Sequence, residues 1–384
     1  MELKMLSLFS GIGAFEKALE NIGIKINLVN FCEIDKYASQ AYCAIHNVDK
    51  KLNLNDVTEI KIDSLPTSGI DIITHGSPCQ DFSTAGLQVG GDIGTGTRSS
   101  LMWNSVAIIK HVKPKYVIWE NVKNVLSKKH KHNFEKYLKS LEDIGYNNYY
   151  QVLNAKDYGI PQNRERIFVI SIRKDIDKGN FKFPEKQTLQ LKLKDLLDDE
   201  VDEKFYLKDS QIERIKNSTF MQEKKRIQNK EYCDTLLARD WKDPKCIRVC
   251  KNNQSENVED IAPTQTSNCG GSGSSDTILK REDNNKIKVI GNYMPSGHDA
   301  SRVVDSNGIA PTVKENHGTV TATNVDFKIR KLTPKECWKL MGFSDEDFQK
   351  ASNTGLSNTQ LYKQAGNSIV VNVLEKIFRN LFLE

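Results

Sequence analysis

The alternation of short apolar runs with longer amphipathic stretches over the first 175 residues constrains the fold more than any other feature. Five runs have the length and composition of buried strands: Met5–Phe9, Ile26–Asn30, Ile70–Thr74, Tyr116–Trp119 and Ile167–Ile172. Four stretches between them have the apolar spacing of helices: Phe15–Asn21, Lys36–His46, Leu101–His111 and Phe134–Ile144. This order predicts an α/β fold, with helices on both faces of a mostly parallel sheet. Ligands of such sheets bind at the carboxyl ends of the strands.

The rest of the chain divides into two further parts. Residues 1–182 form the α/β domain, and the rhythm is lost over residues 183–326, which include the flexible sequence CGGSGSS. A helical pattern returns in TPKECWKLMGF, where Thr333 is expected as the N-cap and Pro334 as the first helical residue. We therefore expect a smaller irregular domain at 183–326, inserted before residues 327–384, which complete the large domain.

The composition excludes several classes of protein. The formal net charge of +5 permits a polyanionic partner without demanding one. No run of about 18 apolar residues occurs, so a membrane span is not expected, and the first residues resemble a strand more than a signal peptide. We therefore expect a cytoplasmic protein whose eight cysteines are reduced. No CxxC pair occurs, and no histidine supports a zinc site among the cysteines of the insert, so no metal is expected.

A glycine-containing turn, Phe9-Ser10-Gly11-Ile12-Gly13, lies where the first strand ends and a helix begins. An NAD or FAD site would need a third glycine at the position of Glu16, so a dinucleotide oxidoreductase is disfavoured. Glu33 follows the second strand, where a carboxylate can bind ribose hydroxyls, and Asp56 could accept a hydrogen bond from the amino group of an adenine. Together these residues suggest a nucleoside ligand without a pyrophosphate, although a glycine turn followed by an acid is common.

A cysteine follows the third strand, in the sequence GSPCQDFS. Cys79 is surrounded by polar residues, which favours a reactive thiol over a buried structural one, although the structural role is the commoner for a lone cysteine. A loop rich in glycine and threonine comes next and has the composition of a mobile lid. A cysteine hydrolase would need a histidine partner, and His75 is the only one nearby in sequence.

An acid and two arginines complete the candidate chemistry. Glu120 ends an apolar strand, where burial would raise the pKa of its carboxyl group and make it a proton donor near pH 7. A salt-bridged glutamate at a strand end is the alternative. Arg164 and Arg166 alternate in QNRER, so they point to one face, where they could bind an anion, a carbonyl or the acid. A thiol, an acid and guanidinium groups on one rim suggest addition to a heteroaromatic ring.

These motifs, in this order, resemble those of C5-cytosine-specific DNA methyltransferases of the bacterial and phage type. The matching sequences are FSGIG, the acidic pair Glu33 and Asp35, GSPCQDFS, ENV, QNRER, TPKECWKLMGF and QAGNSIV. They cover the chain outside the insert. The resemblance implies a Rossmann-like, S-adenosylmethionine-dependent methyltransferase domain with an inserted target-recognition domain. It also implies sequence-specific methylation of cytosine C5 in double-stranded DNA, by an enzyme that can act as a monomer.

The resemblance also assigns roles to residues. Cys79 would attack C6 of a cytosine flipped out of the duplex, Glu120 would hold N3, and Arg164 and Arg166 would orient the base. The implied cofactor contacts are Phe9, Gly11, Gly13, Glu33, Ile34, Asp56, Pro78, Asn367 and Ser368. Without the resemblance, Asn367 would be read as an ordinary polar residue at a helix start. The candidate DNA contacts are Ser83 in the loop and Arg239, Asn268 and Arg302 in the insert.

Two alternatives remain open. A tRNA cytosine methyltransferase would share the chemistry, but such enzymes usually have a short insert, whereas this insert spans about 144 residues (183 to 326). A catalytically silent DNA-binding module would not need an intact Cys79, Glu120, Arg164 and Arg166. The sequence therefore favours an enzyme that acts on duplex DNA.

Overall fold

The computed structural model describes residues 1–78, 92, 94, 97–206, 289–292, 302–304, 310–311, 322–325 and 328–383. Its strands up to residue 173 are β1 (Glu2–Leu8), β2 (Lys25–Cys32), β3 (Ile72–His75), β4 (Tyr116–Val122), β5 (Tyr146–Asn154), β6 (Gln162–Asn163) and β7 (Glu165–Arg173). Six of them form one sheet in the order β2-β1-β3-β4-β7-β5. The first four strands of this order are parallel, and β7 is antiparallel to both of its neighbours. The prediction of a mostly parallel sheet is confirmed.

Helices cover both faces of this sheet, as predicted. Those before residue 150 are α1 (Ala14–Asn21), α2 (Lys36–His46), α3 (Met102–Val112) and α4 (Lys131–Asp143), each within a few residues of its predicted bounds. Successive residues of a strand point to opposite faces. In β4, Ile118 packs in the core with α1, while Val117 and Trp119 pack in the core with α3 and α4. Burial on both faces explains why these strands are continuous apolar runs.

The strand β5 was not predicted. Its sequence, YNNYYQVLN, is mostly polar, and it lies at the edge of the sheet, where it pairs with β7 alone. Tyr150, for example, is 52% exposed. An edge strand half in contact with water needs no continuous apolar run, so the pattern that identified the buried strands is absent here.

The C-terminal part returns to the core of the large domain. Its helices are α5 (Pro334–Lys339), α6 (Asp345–Ser352), α7 (Asn358–Asn367) and α8 (Val371–Phe382). Thr333 is the N-cap of α5 and Pro334 its first residue, as predicted: the Thr333 hydroxyl accepts from the Glu336 N–H, and the Glu336 carboxylate accepts from the Thr333 N–H. Trp338 and Phe378 share one apolar cluster with Ala18 of α1.

Parts of the insert form a second sheet. The strands are β8 (Val289–Asn292), β9 (Arg302–Val304), β10 (Ala310–Pro311), β11 (Ala322–Val325) and β12 (Lys328–Lys331). Four of them pair in the order β12-β11-β9-β8, and β10 pairs with β6 of the large domain. Because β11 pairs with β12, this sheet continues past residue 326. The proposed domain boundaries stay predictions. Among the described residues, no helix is both long and apolar enough to cross a membrane.

Two glycines after helices provide a test of packing. Gly342 and Gly355 have nearly equal φ values of +82° and +83°, but a Cβ atom on Gly342 would collide with Asn372, whereas one on Gly355 would meet nothing within 4 Å. We expect Gly355→Ala to lower the free energy of unfolding by about 1–2 kcal/mol, because alanine is disfavoured in the left-handed backbone conformation. Gly342→Ala should lower the free energy of unfolding by roughly a further 1–3 kcal/mol, as overpacking does. Urea denaturation measures both, and equal losses would contradict the proposed collision.

Candidate active site

The glycine turn after β1 is fixed to the end of β2. Phe9, Gly11 and Gly13 all have positive φ, at 53°, 56° and 82°, which explains why glycine occupies two of the three positions. The Ser10 N–H donates to the Cys32 carbonyl at 3.1 Å, and the Ser10 hydroxyl accepts from the Cys32 N–H at 3.3 Å. A Cβ atom on Gly11 would meet nothing within 4 Å, so the turn has an open side there.

Glu33 joins this turn to the start of α2. One of its carboxylate oxygens accepts from the Gly11 N–H and the other from the Asp35 N–H, each at 2.8 Å. Burial raises the pKa of Glu33, and these two hydrogen bonds together with the charge of Lys363 oppose the rise. The predicted ribose-binding carboxylate is therefore adjacent to the predicted glycine turn.

The edge of the sheet where the parallel strands end, with the glycine turn and Glu33, is called the rim below. Two more of the predicted cofactor residues, Ile34 and Asp56, belong to it. Ile34 is 70% exposed although it is apolar, and it directly follows Glu33. Asp56 accepts hydrogen bonds from the Thr58 N–H at 2.9 Å and the Thr58 hydroxyl at 2.8 Å. Burial, followed by the nearby charges of Glu33 and Asp56, raises the pKa of Cys32 to about 12. The Cys32 thiol also donates to the carbonyl of Asn55 at 3.0 Å, so the residue before Asp56 is held at the end of β2.

The ring of His46 packs against the glycine turn. Its Nδ1 lies 3.2 Å from a Glu20 carboxylate oxygen, and its Nε2 lies 3.2 Å from the Ile12 carbonyl. Although burial lowers the pKa of His46, the hydrogen bond to Glu20 and the charges of Glu16 and Glu20 raise it overall. Both ring nitrogens face acceptors, so the imidazolium form satisfies both contacts. A Cβ atom on Gly13 would collide with this ring, which is a second reason for glycine there.

A buried acid lies on the other side of the rim. Glu120 is 8% exposed, and its carboxylate oxygen is 3.1 Å from Nε of Arg166. Burial raises the pKa of Glu120, and the charges of Arg166 and Arg164 oppose this rise. A Cβ atom on Gly76, in the GSPC motif, would lie 3.7 Å from both the Glu120 carboxylate and the Ile369 side chain. Glu120, the end of β3 and the chain after QAGNS therefore meet at one point.

Arg164 holds the QAGNS sequence in place. It is 4% exposed, and its Nη2 donates to the carbonyls of Gly366 and Ser368 at 3.1 and 2.6 Å. Asn367 is exposed and is the last residue of α7, so it lies at the end of a helix and not at a helix start; its contact with the cofactor stays a prediction. Ser368 is buried and is the C-cap of that helix.

The residues before the proposed nucleophile are fixed by side chains that the sequence did not single out. The Ser77 hydroxyl accepts from the Trp119 indole N–H at 3.0 Å, and the Asn121 amide donates to the Ser77 carbonyl at 3.1 Å. The Ser99 hydroxyl donates to the Pro78 carbonyl at 3.1 Å. Asn121 belongs to the ENV motif and Ser77 to the GSPC motif. Their place in these motifs was the signal in the sequence that could have identified them as supporting residues. Cys79 and Ser83 lie outside the described residues.

His75 is not placed to activate a thiol. It is fully buried, its Nε2 lies 2.9 Å from the Tyr137 hydroxyl, and burial lowers its pKa to about 3. A neutral imidazole that packs against Trp119 and Tyr137 belongs to the core between β4 and α4. Within the described ranges, no group of three or more potential ligands could hold a metal ion; the insert cysteines lie outside those ranges.

The fold and this rim together combine an α/β sheet, a glycine turn joined to Glu33, and a buried acid beside a cysteine motif. The sequence profile of the C-5 cytosine-specific DNA methylase family matches residues 3–383. The chain therefore belongs to that family and is a C5-cytosine DNA methyltransferase, as the resemblance implied.

Individual relatives agree with this assignment. The chain is 34% identical over 442 residues to the orphan methyltransferase M.SPBetaI of Bacillus phage SPbeta, covering 99% of this chain and 97% of that protein. It is 38% identical to the type II methyltransferase M2.ScrFI of Lactococcus lactis subsp. cremoris, covering 95% and 81%. It is also 31% identical to the type II methyltransferase M.HhaI of Haemophilus parahaemolyticus, covering 99% and 94%.

Solved structures share the fold. The S. pombe Dnmt2 methyltransferase superimposes with a TM-score of 0.62 at 17% identity, over 99% of this chain and 98% of that one. A putative DNA modification methyltransferase encoded within an E. coli prophage superimposes with a TM-score of 0.57 at 18% identity, over 99% of each chain. The Rossmann-like methyltransferase fold expected from the sequence is therefore confirmed.

The charged state of His46 gives a pH-dependent test. The folded-state pKa lies above the unfolded value of about 6.5, so the stabilisation is fully present below about pH 6.5 and lost as pH rises through the folded-state pKa. We expect His46→Gln to lower the free energy of unfolding by about 1–3 kcal/mol at pH 6, and by less at pH 9. Urea denaturation at both pH values measures this.

The control for this test is His111→Gln, because the hydrogen bond described for the His111 ring is to a backbone carbonyl, that of Leu65, and not to a carboxylate. A loss for His46→Gln that is the same at both pH values would show that the ring is neutral in the folded protein.

Proposed function

We propose that this methyltransferase transfers a methyl group from S-adenosylmethionine to C5 of cytosine at a specific sequence of double-stranded DNA. Catalysis proceeds by addition of Cys79 to C6 of a flipped-out base. One observation carries the proposal: the buried Glu120–Arg166 pair lies beside Gly76 of the GSPC motif, at the same sheet edge as the glycine turn and Glu33. An acid, a cysteine motif and a nucleoside-type site thus share one rim.

The residues at the glycine turn fit S-adenosylmethionine better than a dinucleotide. The open side of Gly11 allows close approach, exposed Ile34 offers an apolar face to an adenine, and Glu33 offers carboxylate oxygens to ribose hydroxyls. The first turn of α1 contains buried Glu16, whose carboxylate accepts from the Tyr42 hydroxyl at 2.8 Å. The Glu16 carboxylate would repel a pyrophosphate at this helix start, whereas it would attract a cationic sulfonium. S-adenosylmethionine supplies an electrophilic methyl group.

The chain's own residues supply the remaining chemistry. The Cys79 thiolate forms a bond to C6, and the electron pair of the C5–C6 double bond becomes available at C5. Glu120 in its protonated form donates to N3 and so neutralises charge on the ring, a role favoured by its raised pKa. Arg166 holds the Glu120 carboxyl group in place. Once C5 has accepted the methyl group, the sulfonium is left as the neutral thioether S-adenosylhomocysteine. Loss of the C5 proton to water, return of the N3 proton to Glu120 and cleavage of the C6–S bond then restore the ring, the acid and the thiolate.

The insert is proposed as the part that reads the DNA sequence. A base inside the stack is inaccessible, so the cytosine must leave the duplex before C6 can be attacked. Arg302 is the first residue of β9 in the four-stranded sheet, and Arg239 and Asn268 lie outside the described residues. Their contacts with base edges stay predictions, as do the contact of Ser83, the monomeric state, the absence of a metal and the cytoplasmic location.

Replacing the nucleophile separates chemistry from cofactor binding. We expect Cys79→Ser to abolish methylation while the affinity for S-adenosylmethionine changes by less than about twofold, because a hydroxyl is a poor nucleophile of similar size. Expression in a host that lacks 5-methylcytosine, followed by bisulfite sequencing, measures methylation; calorimetry measures binding. Methylation by the variant would remove Cys79 from the mechanism. If wild-type protein leaves DNA unmethylated but methylates tRNA, the DNA substrate is wrong.

The buried acid has a matched control. Glu120→Gln should lower the single-turnover rate by about 10²–10⁴, since a general acid is lost. Glu165→Gln should change it by less than roughly twofold, because Glu165 is exposed and its ion pair within the described part of the chain is with another exposed residue, Lys123. In the wild type, the rate should fall as pH rises through the raised pKa of Glu120, and this limb should be absent in the glutamine variant. An unchanged rate for Glu120→Gln would exclude the acid.

A further inference from the structure

A lysine of the C-terminal part reaches the proposed cofactor rim. Nζ of Lys363, on α7, donates to a carboxylate oxygen of Asp35 at 2.6 Å, across a separation of 328 residues. The other oxygen of Asp35 caps α2, accepting from the N–H groups of Tyr37 at 2.9 Å and Ala38 at 3.3 Å. Each oxygen of this carboxylate therefore has its own partner, and the position of Asp35 is determined from two sides.

Asp35 in turn determines the position of Glu33. The Asp35 N–H donates to a Glu33 carboxylate oxygen at 2.8 Å, so displacement of Asp35 displaces this donor. Lys363 also acts on both acids through its charge, since it lowers the pKa of Asp35 and opposes the effect of burial on the pKa of Glu33. Ile34 separates the two acids in the chain and is 70% exposed on this rim.

Other contacts already join the C-terminal part to the first two helices. Lys17 pairs with Asp347 at 2.7 Å, and the Asn21 amide donates to Glu375 at 2.6 Å. The Gln40 amide donates to a carbonyl in the turn after α6. None of these contacts involves Glu33 or Asp35. The pair of Lys363 with Asp35 is the described contact that connects the C-terminal part to the carboxylate next to the glycine turn.

We propose that Lys363 is a positioning residue for the ribose of the cofactor. It holds Asp35, whose N–H donates to Glu33, and so orients the Glu33 carboxylate to accept hydrogen bonds from the ribose hydroxyls. This role rests on the proposed binding of S-adenosylmethionine at the glycine turn. It also gives α7 two tasks, because Arg164 binds the carbonyls of Gly366 and Ser368 a few residues further on.

The test compares two ligands, S-adenosylhomocysteine and its 2′,3′-dideoxy analogue, which lacks the ribose hydroxyls. Calorimetry gives the dissociation constants for wild type, Lys363→Met and Lys363→Arg. We expect Lys363→Met to weaken S-adenosylhomocysteine binding by about tenfold, as expected when a charge-assisted hydrogen bond is impaired, and the analogue by less than about twofold. Lys363→Arg should regain most of the affinity, because a guanidinium can also pair with Asp35.

The control is Asn21→Ala, which removes another contact between the same two parts of the chain. It should leave the ratio of the two dissociation constants unchanged. Equal weakening of both ligands by Lys363→Met, or no weakening, would show that Lys363 has only a structural role. If urea titrations show that Lys363→Met does not fold, Asp35→Asn takes its place, because it keeps a helix cap and removes the ion pair. The ratio of the dissociation constants of the two ligands then tests the proposal in the same way. Failure of wild-type protein to bind either ligand would overturn the proposed cofactor site and this role with it.

Discussion

The parallel strands β1, β3 and β4 have two apolar faces, and both must be covered. The face with Leu3 and Met5 packs against α1 and the C-terminal helices, so the chain has to return to the sheet after the insert. This return brings together the two ends of the insert. Asp198 pairs there with Lys339 at 2.8 Å, and its N–H donates to Glu336 at 2.8 Å. Because the C-terminal helices must cover this face of the sheet, the two ends of the insert lie next to each other.

The same return completes the site. Parallel strands end at one edge, and three functional residues collect there: Glu33 after β2, Gly76 after β3 and Glu120 two residues before the end of β4. Burial raises the pKa values of Glu33 and Glu120, and a basic side chain opposes the rise in each case. Lys363 acts on Glu33 from α7, and Arg166 acts on Glu120 from β7. Each of the two acids therefore has its own positive charge nearby. Lys363 serves Glu33, where the cofactor is expected, and Arg166 serves Glu120, where the cytosine is expected.

The sequence predicted the elements whose pattern follows from local chemistry. Strands buried on both faces were found as apolar runs, and the start of α5 was found from Thr333 and Pro334. The edge strand β5 was missed because half of it faces water. Contacts between distant residues were not predictable: Gly13 was expected only as a cofactor contact, and the structure adds a packing reason for glycine there, the His46 ring. Lys363 gave no local signal, because its partner Asp35 is 328 residues away.

The two arginines of QNRER show where such predictions stop. Their spacing predicts that both point to one face, and both lower the pKa of Glu120. Spacing does not predict that Arg166 contacts the acid while Arg164 binds the carbonyls of Gly366 and Ser368. One Nη2 atom with two N–H groups can bind two carbonyls at once while the charge still acts on the acid nearby. Arg164 therefore couples the end of α7 to the acid, so a displacement of the C-terminal part would change the environment of Glu120.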